Sequence, residues 1–527
     1  LSGSNETAGH TAKLYSGKRA VSNALAAAAV NPLILLIGLV RFGILIRLLP
    51  LDTYGVFLLL SSIVMQFDYL DGGLRQSLQR YIPQFMVQDR RADVARAVTA
   101  TLATMMGFGL LAGLGVALFT YVGGAGIFAD NTEVPGLEGG LYLAAAALFL
   151  SWPLTTFRAA IEGFNRFNEA TLSRLAAEIV RTIAVVAGAL AGWGVEWLFI
   201  LATLPVICQQ LFLAFRAQQL LGTSIIRIDG GMRRVFREIF HYSKWMAIGQ
   251  IGSTLNNSMD KLIVGAALGV GAVPIYFGLR QILSASSSLS VTFNRIVLPT
   301  ASHRMSSGGV KEMHNLVLKG TRAQMSFFTP FVTLITLFAT PILSIWAGQD
   351  YAAYAPALQI GLLLFLFNAA PKVLARAAAA IDEQIRFLTL FNLSVAAASS
   401  VLIYVLGTNF GVSGAFLAIP ISAMLVNPVW YTRILRAVGI PFRTYVLDGI
   451  LAGAWPALAV LALSVPLLPW ISGLGDIPTV AAVGLVWAAI TFLSSFMFGL
   501  SREHRRRLWE AVLSAFASLT RKGLEPR

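Results

Sequence analysis

Five arginines interrupt stretches of chain that are otherwise apolar enough to lie in a bilayer. Arg41 and Arg47 fall in NPLILLIGLVRFGILIRLLP (residues 31–50), Arg75 follows a Gly-Gly pair, and Arg280 and Arg295 lie fifteen residues apart in a third stretch. An arginine near the centre of a membrane helix costs about 2.5–3.5 kcal/mol on insertion scales, so each needs a carboxylate, water or an anionic ligand beside it. The nearby acids Asp68, Asp71 and Asp260 are outnumbered by these cations, more so when Lys261 is counted. A surplus of fixed cations is chemistry for holding an anion. Forked guanidinium donors match phosphate oxygens bidentately and stay charged at any physiological pH. Arg41, Arg47, Arg75, Arg280 and Arg295 are therefore the candidate residues for an anionic headgroup.

Neutral polar residues accompany them at helical spacing. Ser62, Gln66, Tyr69, Gly73, Gln76 and Arg80 share one side of a helix, with Asp71 close by. Gln250, Ser253, Asn256, Asn257, Asp260 and Lys261 form a second stripe, and Arg280, Ser284, Ser287, Ser288, Thr292 and Arg295 a third. Each unpaired polar group in hydrocarbon costs several kcal/mol, so these stripes face water or one another. Gln66, Asp71, Asn256, Asn257, Asp260, Lys261, Ser284, Ser287 and Ser288 are the candidate lining of a polar cavity. Packing between helices is the simpler use of the serines, since Ser, Thr and Asn commonly join neighbouring helices without touching a ligand.

The elements that must position these residues are membrane helices. The chain has 527 residues, 56% of them hydrophobic and 12% charged, with a mean hydropathy of +0.71, far more apolar than a soluble domain. Its long apolar runs broken by Gly and Pro are a helical pattern, unlike the short alternating segments of an outer-membrane barrel. About fourteen spans are expected: residues 21–49, 54–81, 94–121, 139–160, 170–191, 195–220, 240–268, 272–302, 312–346, 353–380, 386–406, 412–435, 445–466 and 478–500. Lys13, Lys18, Arg19, Arg90, Arg91, Arg96, Arg227, Arg233, Arg234 and Arg237 lie in alternate loops. By the positive-inside rule that side is cytoplasmic, and so are both termini. The formal charge of +15 marks topology here and not nucleic acid. The first twenty residues carry no signal-peptide pattern, and the missing initiator Met reads as a processed or engineered start.

The halves repeat. AAIEGFNRF (159–167) and AAIDEQIRF (379–387) share six residue classes in one register, and nearly the same shift lays LPLDTYGVF (49–57) on LGVGAVPIY (268–276). This predicts an N-lobe at 21–220, an amphipathic linker at 221–239, a C-lobe at 240–438, two further helices at 439–500, and an amphipathic basic tail at 501–527, with a cytoplasmic tail at 1–20. Linker and tail read as anchors on an anionic membrane surface. By the same register Arg41 corresponds to Asp260, and the two are expected to meet when one end of the cavity closes. Asp260 and Lys261 are neighbours, however, and a self-neutralising pair weakens the case for either as a ligand.

Catalysis has little support. His10, His241, His303, His314 and His504 are scattered without metal-ligand or nucleophile-base spacing, no Walker-type phosphate loop is present, and no cofactor or metal site is expected. The single cysteine, Cys208, has no intrachain partner and reads as a small buried hydrophobe.

FDYLDGGLRQSLQRYIPQ (67–84) resembles the second-helix signature of bacterial polysaccharide flippases. MDKLIVGAALGVGAVPIYFGLRQI (259–282) and IVLPTASH (296–303) resemble their seventh and eighth helices, and EGFNRFNEATLSRL (162–175) the segment after the fourth. The chain is thus similar to the multidrug/oligosaccharidyl-lipid/polysaccharide (MOP) superfamily, in its Wzx-like branch. That resemblance implies two six-helix lobes in a V around a cavity lined by helices one, two, seven and eight, plus two C-terminal helices. It implies a bacterial inner-membrane transporter, not an enzyme. The implied substrate is an undecaprenyl-pyrophosphate-linked oligosaccharide for O-antigen or exopolysaccharide synthesis, with membrane lipids, a polysaccharide polymerase and glycosyltransferases as partners. A lipid II flippase, a cation-coupled multidrug exporter of the same superfamily and a non-transporting synthase subunit are the alternatives.

Overall fold

The computed structural model describes residues 17–69, 73–128, 134–294, 297–378, 382–500 and 505–506, and among them helices are the only extended elements. The principal ones are α1 (Gly17–Leu48), α2 (Leu51–Tyr69), α3 (Leu74–Val87), α4 (Arg91–Tyr121), α5 (Leu137–Gly163), α6 (Phe167–Leu190), α7 (Val195–Leu221) and α8 (Met232–Leu268). They continue with α9 (Ala272–Asn294), α10 (Val297–Leu337), α11 (Ala339–Ala347), α12 (Ala355–Ala369), α13 (Pro371–Ala378), α14 (Asp382–Val438), α15 (Ala452–Ser464) and α16 (Ile477–Ser494). Eight spans among the described residues are long and apolar enough to cross a bilayer. A ninth is Met313–Leu337 with Ala339–Ala347, bent by 67°. Helix α6 is not among them because Arg174, Glu178 and Arg181 interrupt its apolar run.

Most helix ends fall within a few residues of the sequence expectation, and the departures have local causes. The predicted second span is two helices, α2 and α3, because Gly73 adopts φ 74°, a left-handed conformation that ends the regular ladder. Asp89 and Asn165, at φ 54° and 57°, make the short turns from α3 to α4 and from α5 to α6. Asp and Asn tolerate this region because their short polar side chains bond locally. Gly411 (φ 63°) breaks α14 between the predicted eleventh and twelfth spans. The expected loop at 303–311 is instead helical backbone within the 41-residue α10.

The chain divides into two compact units, Leu1–Gly278 with Ile403–Val412, and Leu279–Leu402 with Ser413–Arg527. In the first, Leu78, Ile82, Val98, Phe164, Leu213 and Val235 belong to one core cluster drawn from α3 through α8. Val235 and Ile239 thus bury the apolar side of the predicted linker within the protein, while Arg234 stays exposed. The predicted tail at 507–527 lies outside the described residues.

In the second unit, Pro371 separates α12 from α13 and lacks the N–H that Phe367 would use. The Tyr431 hydroxyl donates to the Phe367 carbonyl at 3.3 Å. Gln324 Nε2 and the Tyr445 hydroxyl serve the Ala369 and Ala370 carbonyls at 2.9 and 3.1 Å. Side chains thereby bond carbonyls around the break where water is scarce, as a broken membrane helix requires. Arg322 Nε of α10 donates to the Gly499 carbonyl at 2.6 Å and holds the end of the last span.

Candidate functional site

The Arg41 guanidinium on α1 is met by α6. Its Nη1 donates to Glu178 Oε2 at 2.9 Å and to Thr182 Oγ1 at 3.2 Å, and Arg181 Nη1 donates to Glu178 Oε1 at 3.4 Å. Arg174 acts electrostatically on the same carboxylate. Arg174, Glu178 and Arg181 are spaced i, i+4 and i+7 and share one face of α6, which packs along α1. Two guanidiniums therefore pair with one carboxylate, with Arg174 one turn away on the same helix face, and the Arg41, Glu178 and Arg181 side chains each keep 17–19% of their surface accessible. The cluster carries net positive charge, satisfies Arg41 by an ion pair, and leaves access for a further anion.

Arg41 thus takes Glu178 as its partner, not the Asp260 that the repeat register pointed to. Asp260 is buried and accepts from the Tyr276 hydroxyl at 3.0 Å and from the Lys261 backbone N–H at 2.9 Å. The Lys261 ammonium lies 3.7 Å from Asp260 and 5.6 Å from the centroid of the Phe277 ring. The expected self-neutralising pair is therefore present, and the start of α9 shields it.

The remaining candidates are distributed. Arg47 is exposed in the last turn of α1, and Arg75 is half-buried in the first turn of α3. Arg280, Ser284 and Ser287 follow one another at i, i+4 and i+7 on α9, with Ser284 exposed and the other two half-buried. Asp71 and Arg295 lie outside the described residues, as do the side chains of Gln66, Asn256, Asn257 and Ser288. Sequence reasoning missed Arg174, Glu178, Arg181 and Thr182. The signal was present in RLAAEIVRT, a charged stripe at helical spacing in an apolar span.

At the end of α1 away from the arginine-rich loops, the two connections related by the sequence repeat touch. A Cβ on Gly55 would lie 2.0 Å from the Val270 carbonyl oxygen, and one on Gly271 would lie 2.6 Å from Asp52 Oδ1. Phe42 packs on Tyr54 and on Phe277, both at 5.7 Å between ring centroids. Ends of α1, α2, α8 and α9 thereby meet at this side, with the Asp52 carboxylate among the contacts.

On the arginine-rich side, the Asp229 carboxylate accepts from Arg96 Nε and Nη2, each at 2.7 Å, and from Arg227 Nε at 2.7 Å. Arg96 also reaches Asp93 within α4 at 2.6 Å, and its bonds to Asp229 tie α4 to the loop before α8. The hydrogen bonds from Arg96 and then Arg227 hold the Asp229 carboxyl well below the usual carboxylate range. A depressed folded-state pKa gives stability that is present above the unfolded carboxylate value and is lost as pH falls through the folded one. Asp229→Asn is therefore expected to lower the thermal midpoint by a constant amount from neutral pH down to about pH 4, and the difference should shrink below that. A difference that grows on acidification would contradict the assignment.

A family model described as polysaccharide biosynthesis protein matches residues 44–356. The Shigella flexneri protein named "Putative O-antigen transporter" is 21% identical over 402 residues, covering 74% of this chain and 91% of its own. The Bacillus subtilis (strain 168) "Uncharacterized membrane protein EpsK" is 22% identical over 478 residues, 88% of this chain and 92% of its own. Among solved structures, the lipid II flippase MurJ in an inward closed conformation has a TM-score of 0.65 at 13% identity, over 89% of this chain and 97% of that one. An inward-facing multidrug resistance MATE family transporter of the MOP superfamily has 0.60 at 13%, over 77% and 94%. At such identities the solved structures establish the fold alone: an all-helical polytopic membrane protein of about fourteen helices, as the hydropathy predicted.

Proposed function

We propose a transport function from one premise: the chain belongs to the polysaccharide biosynthesis protein family. It is a MOP-type membrane transporter and not an enzyme. Its cargo is an oligosaccharide repeat unit on undecaprenyl pyrophosphate, carried by alternating access from the inner to the outer leaflet of the bacterial cytoplasmic membrane, for O-antigen or exopolysaccharide synthesis. The arginine-rich loops and both termini lie in the cytoplasm. The observation that carries this reading is the pairing of Arg41 and Arg181 with the single carboxylate of Glu178, one helical turn from Arg174. Within membrane helices, excess guanidinium that remains partly accessible suits a pyrophosphate. Arg280, with Ser284 and Ser287 on the same face of α9, supplies a second cationic station with hydroxyls for sugar. The membrane potential assists export, since an anion leaving a negative-inside cytoplasm gains about 2.3 kcal/mol per charge per 100 mV.

The test is leaflet translocation of a fluorescent undecaprenyl-pyrophosphate oligosaccharide in proteoliposomes. A hydrogen bond to a charged group contributes about 1.5–3 kcal/mol, so Arg41→Ala and Arg280→Ala are each expected to slow transport by roughly ten- to a hundredfold. Wild-type rates in both variants would remove the anion site, and no movement of an authentic glycan by the wild-type protein would favour a non-transporting subunit of a synthase complex. A lipid II flippase requires the same headgroup chemistry, and competition between the two lipids in this assay separates the readings. A cation-coupled drug exporter needs acids where α1 carries Arg41 and Arg47.

A further inference from the structure

The face of α6 turned away from Glu178 forms an apolar groove with α7. The groove encloses about 790 Å3, and its walls include Leu172, Ala176, Val180, Leu204 and Phe212. Leu172, Val180, Leu204 and Phe212 are each more than half exposed, so no other part of the described chain covers them. It runs from Glu169 to Val180 on α6, eleven residues or about 16 Å at 1.5 Å per residue. That is roughly half of a 30 Å hydrocarbon core, the depth of one leaflet.

The groove is polar at only one end. There Glu169 Oε1 accepts from Arg166 at 2.9 Å and Glu169 Oε2 from Arg216 at 3.1 Å, so two guanidiniums share one carboxylate. Deeper in, Gln209 Nε2 donates to Ser173 Oγ at 3.2 Å, so these two polar groups are satisfied locally and the wall stays effectively apolar. Both arginines belong to the arginine-rich side, Arg166 in the α5–α6 turn and Arg216 in the last turns of α7. Cys208, read from sequence as a buried hydrophobe, is exposed on this wall because its stretch of α7 faces the groove and not the core.

We propose that this groove is a binding site for an anionic phospholipid of the leaflet facing the arginine-rich loops. One acyl chain lies between α6 and α7, and the phosphate sits on Arg166 and Arg216. The length matches one leaflet, and the net positive charge at the mouth is complementary to a phosphate diester. The site is separate from the Arg41–Glu178 cluster, on the opposite face of α6, and does not depend on the transport reading.

Cys208 is the only thiol in the chain, and it reports on the groove directly. The experiment compares alkylation of Cys208 by a neutral, membrane-permeant maleimide in full-length protein reconstituted in phosphatidylcholine with and without phosphatidylglycerol. Occupancy above nine-tenths slows labelling by about tenfold, since protection follows one plus the ratio of ligand to Kd. Arg166→Gln with Arg216→Gln is expected to abolish the protection, and Arg216→Lys to retain part of it if the double variant fails to fold. Leu111→Cys in a Cys208→Ser background, on an exposed face of α4, should label equally in both membranes. Equal labelling of Cys208 in both compositions would overturn the site. So would protection by inorganic phosphate in pure phosphatidylcholine, by a polyprenyl phosphate in preference to phosphatidylglycerol, or in proportion to protein density at fixed lipid.

Discussion

Glu178→Gln is expected to destabilise the folded protein by up to about 3 kcal/mol, below the full cost of removing one partner from a wholly buried ion pair because this one is partly accessible. The effect is large because Arg41 and Arg181 both pair with that carboxylate. The amide that replaces it keeps a hydrogen-bond acceptor but no compensating charge. Chemical denaturation in detergent measures the loss. The anion-site reading adds a second expectation: soluble pyrophosphate should restore more stability to the variant than to the parent, because the anion supplies the missing charge. An unchanged midpoint would mean that the arginines are neutralised elsewhere. Coupling between Arg41→Gln and Glu178→Gln in a double-mutant cycle should fall in the range of about 0.5–3 kcal/mol expected of residues in contact.

Gly55→Leu should disrupt the closed end of the first unit. The built Cβ lies 2.0 Å from the Val270 carbonyl, whereas ordinary contact begins at 3.4 Å, so the α8–α9 turn must retreat by about 1.4 Å before the rest of the side chain is placed. Overpacking of this kind costs about 1–3 kcal/mol, and here the obstacle is backbone and cannot rotate away. Loss of both stability and transport is expected. Gly107→Ala in α4 is the matched control, with no atom within 4 Å of its added methyl. It should be neutral or stabilise by up to about 0.5–1 kcal/mol through the better helix propensity of Ala. Similar behaviour of the two variants would show that the close approach at Gly55 does not hold the turn in place.

The sequence by itself determined the helices and what they must bury. The length and apolarity of a span are local properties measured against a fixed bilayer thickness, so the expectation of a helix over 94–121 agrees with Arg91–Tyr121 and that over 195–220 with Val195–Leu221. It also selected Arg41 as a group requiring an anion, because insertion cost depends on residue type and depth alone. Only the tertiary structure decided the partner. Pairing Arg41 with Glu178 depends on which face of α6 turns toward α1, and a lone carboxylate in an apolar span does not encode that choice. The same holds for Cys208: its apolar neighbours suit a core and a lipid-facing groove equally, since hydrocarbon surrounds the helix either way. The repeat in the sequence linked residues 49–57 to 268–276 by analogy, and folding brought those two connections into contact through glycines with no side chain to keep them apart. Composition and spacing set each residue's solvation requirement, while the neighbour that meets it is fixed by helix rotation and packing, properties that emerge only when the whole chain is assembled.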